Sequence, residues 1–289
     1  MRILVSNDDG IYARGIRVLA HRLSRDADNE VFVVAPDRER SATGHALTLH
    51  KPIRVEEIEY EGAVKGAWWT TGTPSDCVKF AVQGLLDQPP DIVISGINSG
   101  PNLGTEILYS GTVSAAMEGA ILSIPGIAVS LVGRHGKHYE VAAEFVARLI
   151  KVLPWSWLPR RILLNINVPN LPAASIKGVA FTELGLREYK DHYEKRLDPR
   201  GKTYYWLAGE AVEEGETEDS DVRAVNNQKI SITPVTFNMT DRQTLSQLSQ
   251  WREGSSLLTS ALSSTSGVAA NDKADAPAAS PEIPTVEGV

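Results

Sequence analysis

Five short apolar runs constrain any fold of this chain: Ile3 to Val5, Val31 to Ala35, Ile92 to Ser95, Ile127 to Leu131 and Ile162 to Val168. Their apolar residues are largely consecutive instead of alternating, the pattern of strands covered on both faces in a parallel sheet. Helix-period segments lie between several of them, first Ile16, Leu19, Ala20 and Leu23, then Val141, Phe145, Leu149 and Val152. This alternation predicts an α/β sandwich around a mostly parallel sheet. Ligands of such sheets bind at the carboxyl ends of the strands, where loops lead into helix N-termini.

After Pro169 the pattern weakens. Residues 181–200 are mixed and charged, Thr203-Tyr204-Tyr205-Trp206-Leu207 reads as a strand, and seven carboxylates fall between Glu210 and Asp221. A second strand-like run, Lys229 to Pro234, is expected to pair with the first as an exposed hairpin or arm. The acidic run reads as a solvated loop. From about Gly254 to Val289 the chain is rich in Ser, Ala, Thr and Pro with no aromatic residue, which predicts an unstructured tail. No repeat or long linker divides the chain, so one domain over 1–253, with a core to about 180 and an arm over 181–253, is expected before that tail.

With 289 residues, 42% of them hydrophobic, the chain can bury a substantial core. No apolar run reaches the roughly 18 residues of a membrane span, and the first residues read as a strand and not as a leader, so a cytoplasmic location is expected. The single cysteine, Cys77, rules out an internal disulfide and any multi-cysteine metal cage, and reads as core filler. A net charge of -7 disfavours a grip on long nucleic acid. A small anionic substrate would need local help from a metal or from helix N-termini.

Chemistry-bearing residues follow three of the strand-like runs. The first leads into Ser6-Asn7-Asp8-Asp9-Gly10. Adjacent carboxylates at a strand end call for a cation, and hard oxygen ligands suit Mg²⁺ or Mn²⁺; Asn-Asp-Asp-Gly is also good turn chemistry. The second run ends in Ala35-Pro36-Asp37-Arg38-Glu39-Arg40-Ser41-Ala42-Thr43-Gly44-His45. There Ser41 offers a neutral oxygen and Arg38 or Arg40 a phosphate partner, unless the arginines pair with Asp37 and Glu39 and Ser41 caps a helix. The third is followed by Ser95-Gly96-Ile97-Asn98-Ser99-Gly100-Pro101-Asn102-Leu103-Gly104, in which Asn98 carries an amide oxygen. Tyr109-Ser110-Gly111-Thr112 then opens a helix of small residues, whose free backbone N–H groups would make an anion site, although Ser110 equally suits an ordinary N-cap. Thr70 to Asp76 is a hydroxyl-rich turn that either lines the pocket or caps a helix. The conjunction at three strand ends of carboxylates, a hydroxyl, an amide and a phosphate cradle favours chemistry over coincidence.

These motifs, with Thr-Gly-Thr-Pro-Ser-Asp-Cys-Val at 71–78 and Ser-Gly-Thr-Val-Ser-Ala-Ala at 110–116, occur in the order found in the SurE family, the stationary-phase survival 5'-nucleotidases, which the chain resembles over roughly residues 1–250. The resemblance implies a three-layer α/β sandwich with a mostly parallel Rossmann-like sheet and an extended C-terminal β-hairpin or arm. It implies one divalent metal ion per subunit, held by Asp8, Asp9, Ser41 and Asn98. Phosphate and substrate contacts are then expected at Asn98, Asn102, Ser110, Gly111 and Thr112. It further implies hydrolysis of nucleoside 5'-monophosphates and a homodimer or homotetramer built through an exchanged arm after Phe181. Within this reading Asp8 and Asp9 are the catalytic carboxylates, serving a metal-activated water or attacking phosphorus themselves, and His45 is a candidate proton donor to the leaving alkoxide.

Two other classes fit less well. A phospho-acceptor domain needs an aspartate at the third strand end and a lysine after the fifth, where this chain has Asn98 and, over Asn165 to Val168, no lysine. Haloacid-dehalogenase phosphatases need Asp-x-Asp, whereas here Asp8 and Asp9 are adjacent and residue 10 is glycine. A nucleotide sensor without turnover remains the alternative.

Overall fold

The computed structural model describes residues 1–133, 136–186, 188–212 and 217–265. In chain order the first part comprises β1 (Arg2–Ser6), α1 (Arg14–Ser24), β2 (Glu30–Pro36), β3 (Val55–Glu57), β4 (Gly66–Thr70), α2 (Pro74–Phe80), β5 (Ile92–Ser99), α3 (Gly111–Ile121), β6 (Gly126–Val132), α4 (Tyr139–Val152) and β7 (Leu163–Pro169). It continues with β8 (Val179–Phe181), β9 (Glu188–Leu197), β10 (Thr203–Val212), α5 (Asp221–Asn226) and β11 (Ile230–Val235). All five apolar runs are strands.

One sheet in the order β3-β4-β2-β1-β5-β6-β7-β11-β8 carries the fold. From β4 to β7 every neighbouring pair is parallel. Side chains alternate across it: Ile3 and Val5 of β1 join Ile16, Leu19 and Leu23 of α1 and Ala142, Val146 and Ile150 of α4 in one core layer. Leu4 points the other way, to Cys77 and Val78 of α2 and Ala115 of α3. Helices therefore cover both faces, which is why the strands are apolar at consecutive positions. Cys77 is buried and its thiol is pushed up to about 12 by burial, consistent with core filler and not a nucleophile.

The chain runs outward from β1 through β2 to β4, then returns to β5 on the other side of β1 and proceeds to β6 and β7. The strand order thus reverses between β1 and β5, and the loops leaving these two strands diverge to open a crevice at their carboxyl ends.

The C-terminal part corrects one expectation. Lys229 to Pro234 does not pair with Thr203 to Leu207. Its strand β11 returns to the main sheet, antiparallel to β7 and parallel to β8, with Ile230 and Ile232 buried. The antiparallel partner of β10 is β9, in register from Thr203↔Leu197 to Val212↔Glu188. The charge of β9 conceals a strand because this hairpin stands apart from the core and needs no apolar face. The acidic run is also only partly a solvated loop: residues 213–216 lie outside the described residues, and Asp221 is fully buried at the start of α5.

A second compact unit begins at Asn238. In it, Asp241 caps α6 (Arg242–Gln250) by accepting from the N–H groups of Gln243 and Thr244 at 2.9 and 3.1 Å, and α7 (Arg252–Thr265) follows. The expected tail from residue 254 therefore starts within a helix, where Leu257, Leu258, Ala261 and Leu262 recur at helical spacing; residues 266–289 lie outside the described residues.

The pairing of β1 and β5 fixes the crevice, so it is also where the fold is most sensitive. Ile94 on β5 is completely buried, and Ile94→Ala is expected to lower the unfolding free energy by about 2–5 kcal/mol in urea titrations.

Candidate active site

The residues after β1 leave the core without leaving the interior. Asn7 donates through its amide to the carbonyl of Gly10 at 2.8 Å, closing the turn that presents Asp8 and Asp9. Asp8 is buried, and the hydroxyl of Thr112 donates to its Oδ1. This brings the end of β1 against the first turn of α3 so closely that a Cβ on Gly111 would lie 2.6 Å from the Cβ of Asp8. Glycine at 111 is what permits the approach, and the positive end of α3 then faces a carboxylate.

Asp9 is placed by the neighbouring strand: its Oδ2 accepts from the backbone N–H of Ser99 at 3.2 Å. The register of β5 against β6 shifts between Ser95 and Asn98. In that bulge Gly96 has φ +134 and lies so near the carbonyl of Val129 that a Cβ would sit 2.4 Å from it. A bulge re-aims the residue that follows, and Asn98 is turned to the crevice, its amide nitrogen donating to the carbonyl of Gly100 at 3.1 Å. Ser41 comes from the loop after β2, held by the N–H of Arg40 donating to the Asp8 carbonyl at 2.7 Å, and its hydroxyl donates to Glu39 at 2.7 Å.

Asp8, Asp9, Ser41 and Asn98 line one cavity of about 640 Å³. Glu39 and Glu106 bring the carboxylates of its wall to four, and among the described residues no Lys, Arg or His lines it. Burial raises the pKa of Asp8 above the usual carboxylate range, against the hydrogen bonds of Thr112, and Glu39 adds to the rise. Burial likewise raises Asp9 to about 6, helped by the charge of Asp8. Desolvated like charges of this kind would be relieved by an added cation. Among the described residues no three or more His, Cys, Asp or Glu side chains gather as a metal cage. The donor set is instead two carboxylates with neutral oxygens from Ser41 and Asn98, which fits a hard divalent cation that keeps part of its hydration.

Ser110 lines the same cavity and also caps α3, accepting from the Val113 N–H at 3.1 Å. That leaves its hydroxyl proton free to donate. Gly111 and Thr112, expected in the cradle, lie behind Asp8 and are not part of the cavity wall. Asn102 does line it, but is held from below. Its N–H donates to Asn167 at 2.9 Å, its amide to Ser130 at 2.7 Å, and its carbonyl accepts from Asn165 and Asn167 at 2.8 Å each.

Other candidates are engaged elsewhere. Arg40 pairs with Asp37 at 3.2 Å and donates to the Thr71 carbonyl at 3.0 Å. Arg38 is exposed and is not in the cavity wall. Thr73 and Asp76 form a capping box for α2, so the turn at 70–76 is a capped turn. His45 is not in the cavity wall; its Nε2 lies 2.7 Å from Glu118. The wall residues not singled out in the sequence include Glu39, Glu106, Tyr109 and Leu207. Tyr109 carried a signal in its position one residue before the N-cap of α3. Leu207 carried none, because nothing local shows where the hairpin lies.

With this geometry in place, the chain is similar to known proteins over most of its length. The profile of the family described as "Survival protein SurE" matches residues 3–191. A protein named 5'-nucleotidase SurE from Thermosynechococcus vestitus is 55% identical over 257 residues, covering 87% of this chain and 96% of that protein. One of the same name from Carboxydothermus hydrogenoformans is 51% identical over 254 residues, with 87% and 96% covered. The crystal structure of the SurE protein from Aquifex aeolicus superposes with a TM-score of 0.74 at 40% identity, covering 86% of this chain and 98% of that one.

The buried Glu118 on α3 ties the loop carrying Ser41 to the rest of the site, meeting His45 and, at 2.9 Å, Lys79 of α2. Burial alone would raise its pKa; the hydrogen bonds and charges of His45 and Lys79 outweigh this and hold it below the ordinary value of 4.5. A depressed carboxylate contributes stability above its unfolded pKa and loses it as pH falls through the folded one. Glu118→Gln is therefore expected to lower the unfolding free energy by about 1–3 kcal/mol at pH 7. The loss should shrink below about pH 4, as urea titrations across pH would show.

Proposed function

The chain belongs to the SurE family of survival proteins, and from that premise we propose that it is a 5'-nucleotidase using one divalent cation, Mg²⁺ or Mn²⁺, to hydrolyse nucleoside 5'-monophosphates by in-line attack of water. Relatives at 51–55% identity carry the name 5'-nucleotidase, and the hydrolase class rests on them. The cation rests on one observation: a cavity walled by Asp8, Asp9, Glu39 and Glu106 with, among the described residues, no cationic side chain. Such a mouth repels a phosphate dianion unless a positive charge is added to it.

Asp8, Asp9, Ser41 and Asn98 would hold the cation. The chemistry a divalent ion supplies to such a donor set is neutralisation of the carboxylates and of phosphate, together with acidification of water. The protein's own contribution is positioning. Asp8 is fixed by Thr112 and Asp9 by the Ser99 N–H; with one oxygen of each already engaged, both are better suited to holding a cation than to attacking phosphorus. Ser110 donates its hydroxyl proton to a phosphate oxygen, and the second amide hydrogen of Asn102 reaches another. The field of the α3 N-terminus, already spent partly on Asp8, favours charge accumulating at the phosphoryl group in a loose transition state.

In the same reading the hairpin β9–β10, with Tyr193, Tyr205 and Trp206 exposed, is the arm exchanged in a homodimer or homotetramer. The protein acts in the cytoplasm on a small nucleotide, without long nucleic acid or membrane as partner. Among the described residues no helix is long and apolar enough to cross a membrane.

Phosphate release from nucleoside 5'- and 3'-monophosphates with Mg²⁺, Mn²⁺ or EDTA tests the proposal. Release confined to the 5' substrates, abolished by EDTA and reduced at least about 100-fold in Asp9→Asn, is expected. Nucleotide binding without release would move the assignment to a sensor. Cation binding is read separately by melting temperature: an ion at about 100 times its Kd should stabilise the wild type by about 2.7 kcal/mol and Asp9→Asn by far less.

A further inference from the structure

A cavity of about 640 Å³ is much larger than a phosphate and a cation require, and lies within the usual range for sites that enclose a whole small molecule. Among its lining residues, Asp8, Asp9, Ser41, Asn98 and Ser110 are accounted for by the cation and the phosphate. Its lining also includes Tyr109 and Leu207, which are 68% and 59% exposed, so neither is there to fill the core. The backbone of Tyr109 is fixed at both ends: its N–H donates to the Glu106 carbonyl at 3.0 Å, and its own carbonyl accepts from the Gly44 N–H at 3.1 Å. Tyr109 therefore stands on a held backbone, one residue from Ser110 and so within a nucleoside's length of the phosphate position. Leu207 arrives from the unrelated hairpin β9–β10 to add apolar surface to the same space.

We propose that Tyr109 is the platform on which the base of the nucleoside monophosphate stacks, with Leu207 as a further apolar wall of that subsite. The assignment rests on the nucleotidase reading and adds to it the place of the base and the manner of its recognition. A flat aromatic face accepts any base, since every base has a π-face. Tyr109 therefore discriminates nucleotides from phosphomonoesters that lack a base, and discriminates weakly among bases. Its hydroxyl has no part in this role, so phenylalanine should replace it.

The test compares kcat and KM of the wild type, Tyr109→Phe, Tyr109→Ala and Leu207→Ala on the four common nucleoside 5'-monophosphates and on ribose 5-phosphate, which keeps the sugar and phosphate and lacks the base. Loss of one base–aromatic stack corresponds to a factor of roughly 5 to 150. In Tyr109→Ala the ratio of kcat/KM for nucleotide to that for ribose 5-phosphate is expected to fall by about that factor, mainly through KM and for all four bases. Tyr109→Phe should stay near the wild-type ratio, and Leu207→Ala should fall in the same direction by less. An unchanged ratio in Tyr109→Ala, whether both substrates or neither lose turnover, overturns the platform, as does a Tyr109→Phe as impaired as Tyr109→Ala. If the wild type releases phosphate from neither substrate, the hydrolase reading fails by itself. Calorimetric affinities for the monophosphates and for ribose 5-phosphate then decide the platform on the same ratio.

Discussion

Two ionisable carboxylates side by side at the edge of an apolar core are a standing liability. Each loses hydration on burial and each raises the other's energy, so both hold their protons more tightly than a free carboxylate does. The fold accommodates this with fixed dipoles. The Thr112 hydroxyl and the N-terminal end of α3 meet Asp8, and a backbone N–H from the end of β5 meets Asp9. The arrangement is only possible because β1 and β5 are paired where the strand order reverses, which lets a loop from each reach the same space. Close contact at Gly111 and the bulge at Gly96 then set the last few ångströms. A cation bound beside the two carboxylates, as proposed, would lower the energy of both at once.

The sheet's centre was legible because a strand buried on both faces has little choice of residue, and five such runs stand out against any background. The edges were not. β3 and β4 are short, and β4 contains Gly66 and two half-buried tryptophans, which blurs its period. β9 is written in charged residues because the neighbour it pairs with is β10 and not the apolar core. β11 was recognised as a strand, but its partner was not, since periodicity reports burial and says nothing of which neighbour provides it.

The site divides along a similar line. Asp8, Asp9, Ser41 and Asn98 were identifiable because loops after parallel strands must converge, so polar residues in those loops have somewhere to meet. What the sequence could not settle is which polar groups in the same loops are already taken. Arg40, His45 and Thr73 each belong to a motif beside the site and each is engaged by a partner distant in sequence: Thr71, Glu118 and Ala46 respectively. Thr112 is the subtler case, since its hydroxyl serves the site by holding Asp8 from behind the cavity wall. Asn102 likewise stands on a buried frame of Asn165, Asn167 and Ser130, residues that in sequence read only as polar interruptions of two strands.

Asp221, at the N-terminus of α5, accepts from the Gly104 N–H with one carboxylate oxygen and from the Gly185 N–H with the other, both at 3.0 Å. Gly104 closes the loop that carries Asn98 and Asn102, while Gly185 lies just ahead of the strand that begins the hairpin. One rigid, trigonal group therefore clasps the rim of the cavity and the root of the arm together. Its geometry couples them mechanically: a tug that swings the arm must either drag the rim with it or strip one of these bonds inside the protein, where no solvent stands ready to replace it.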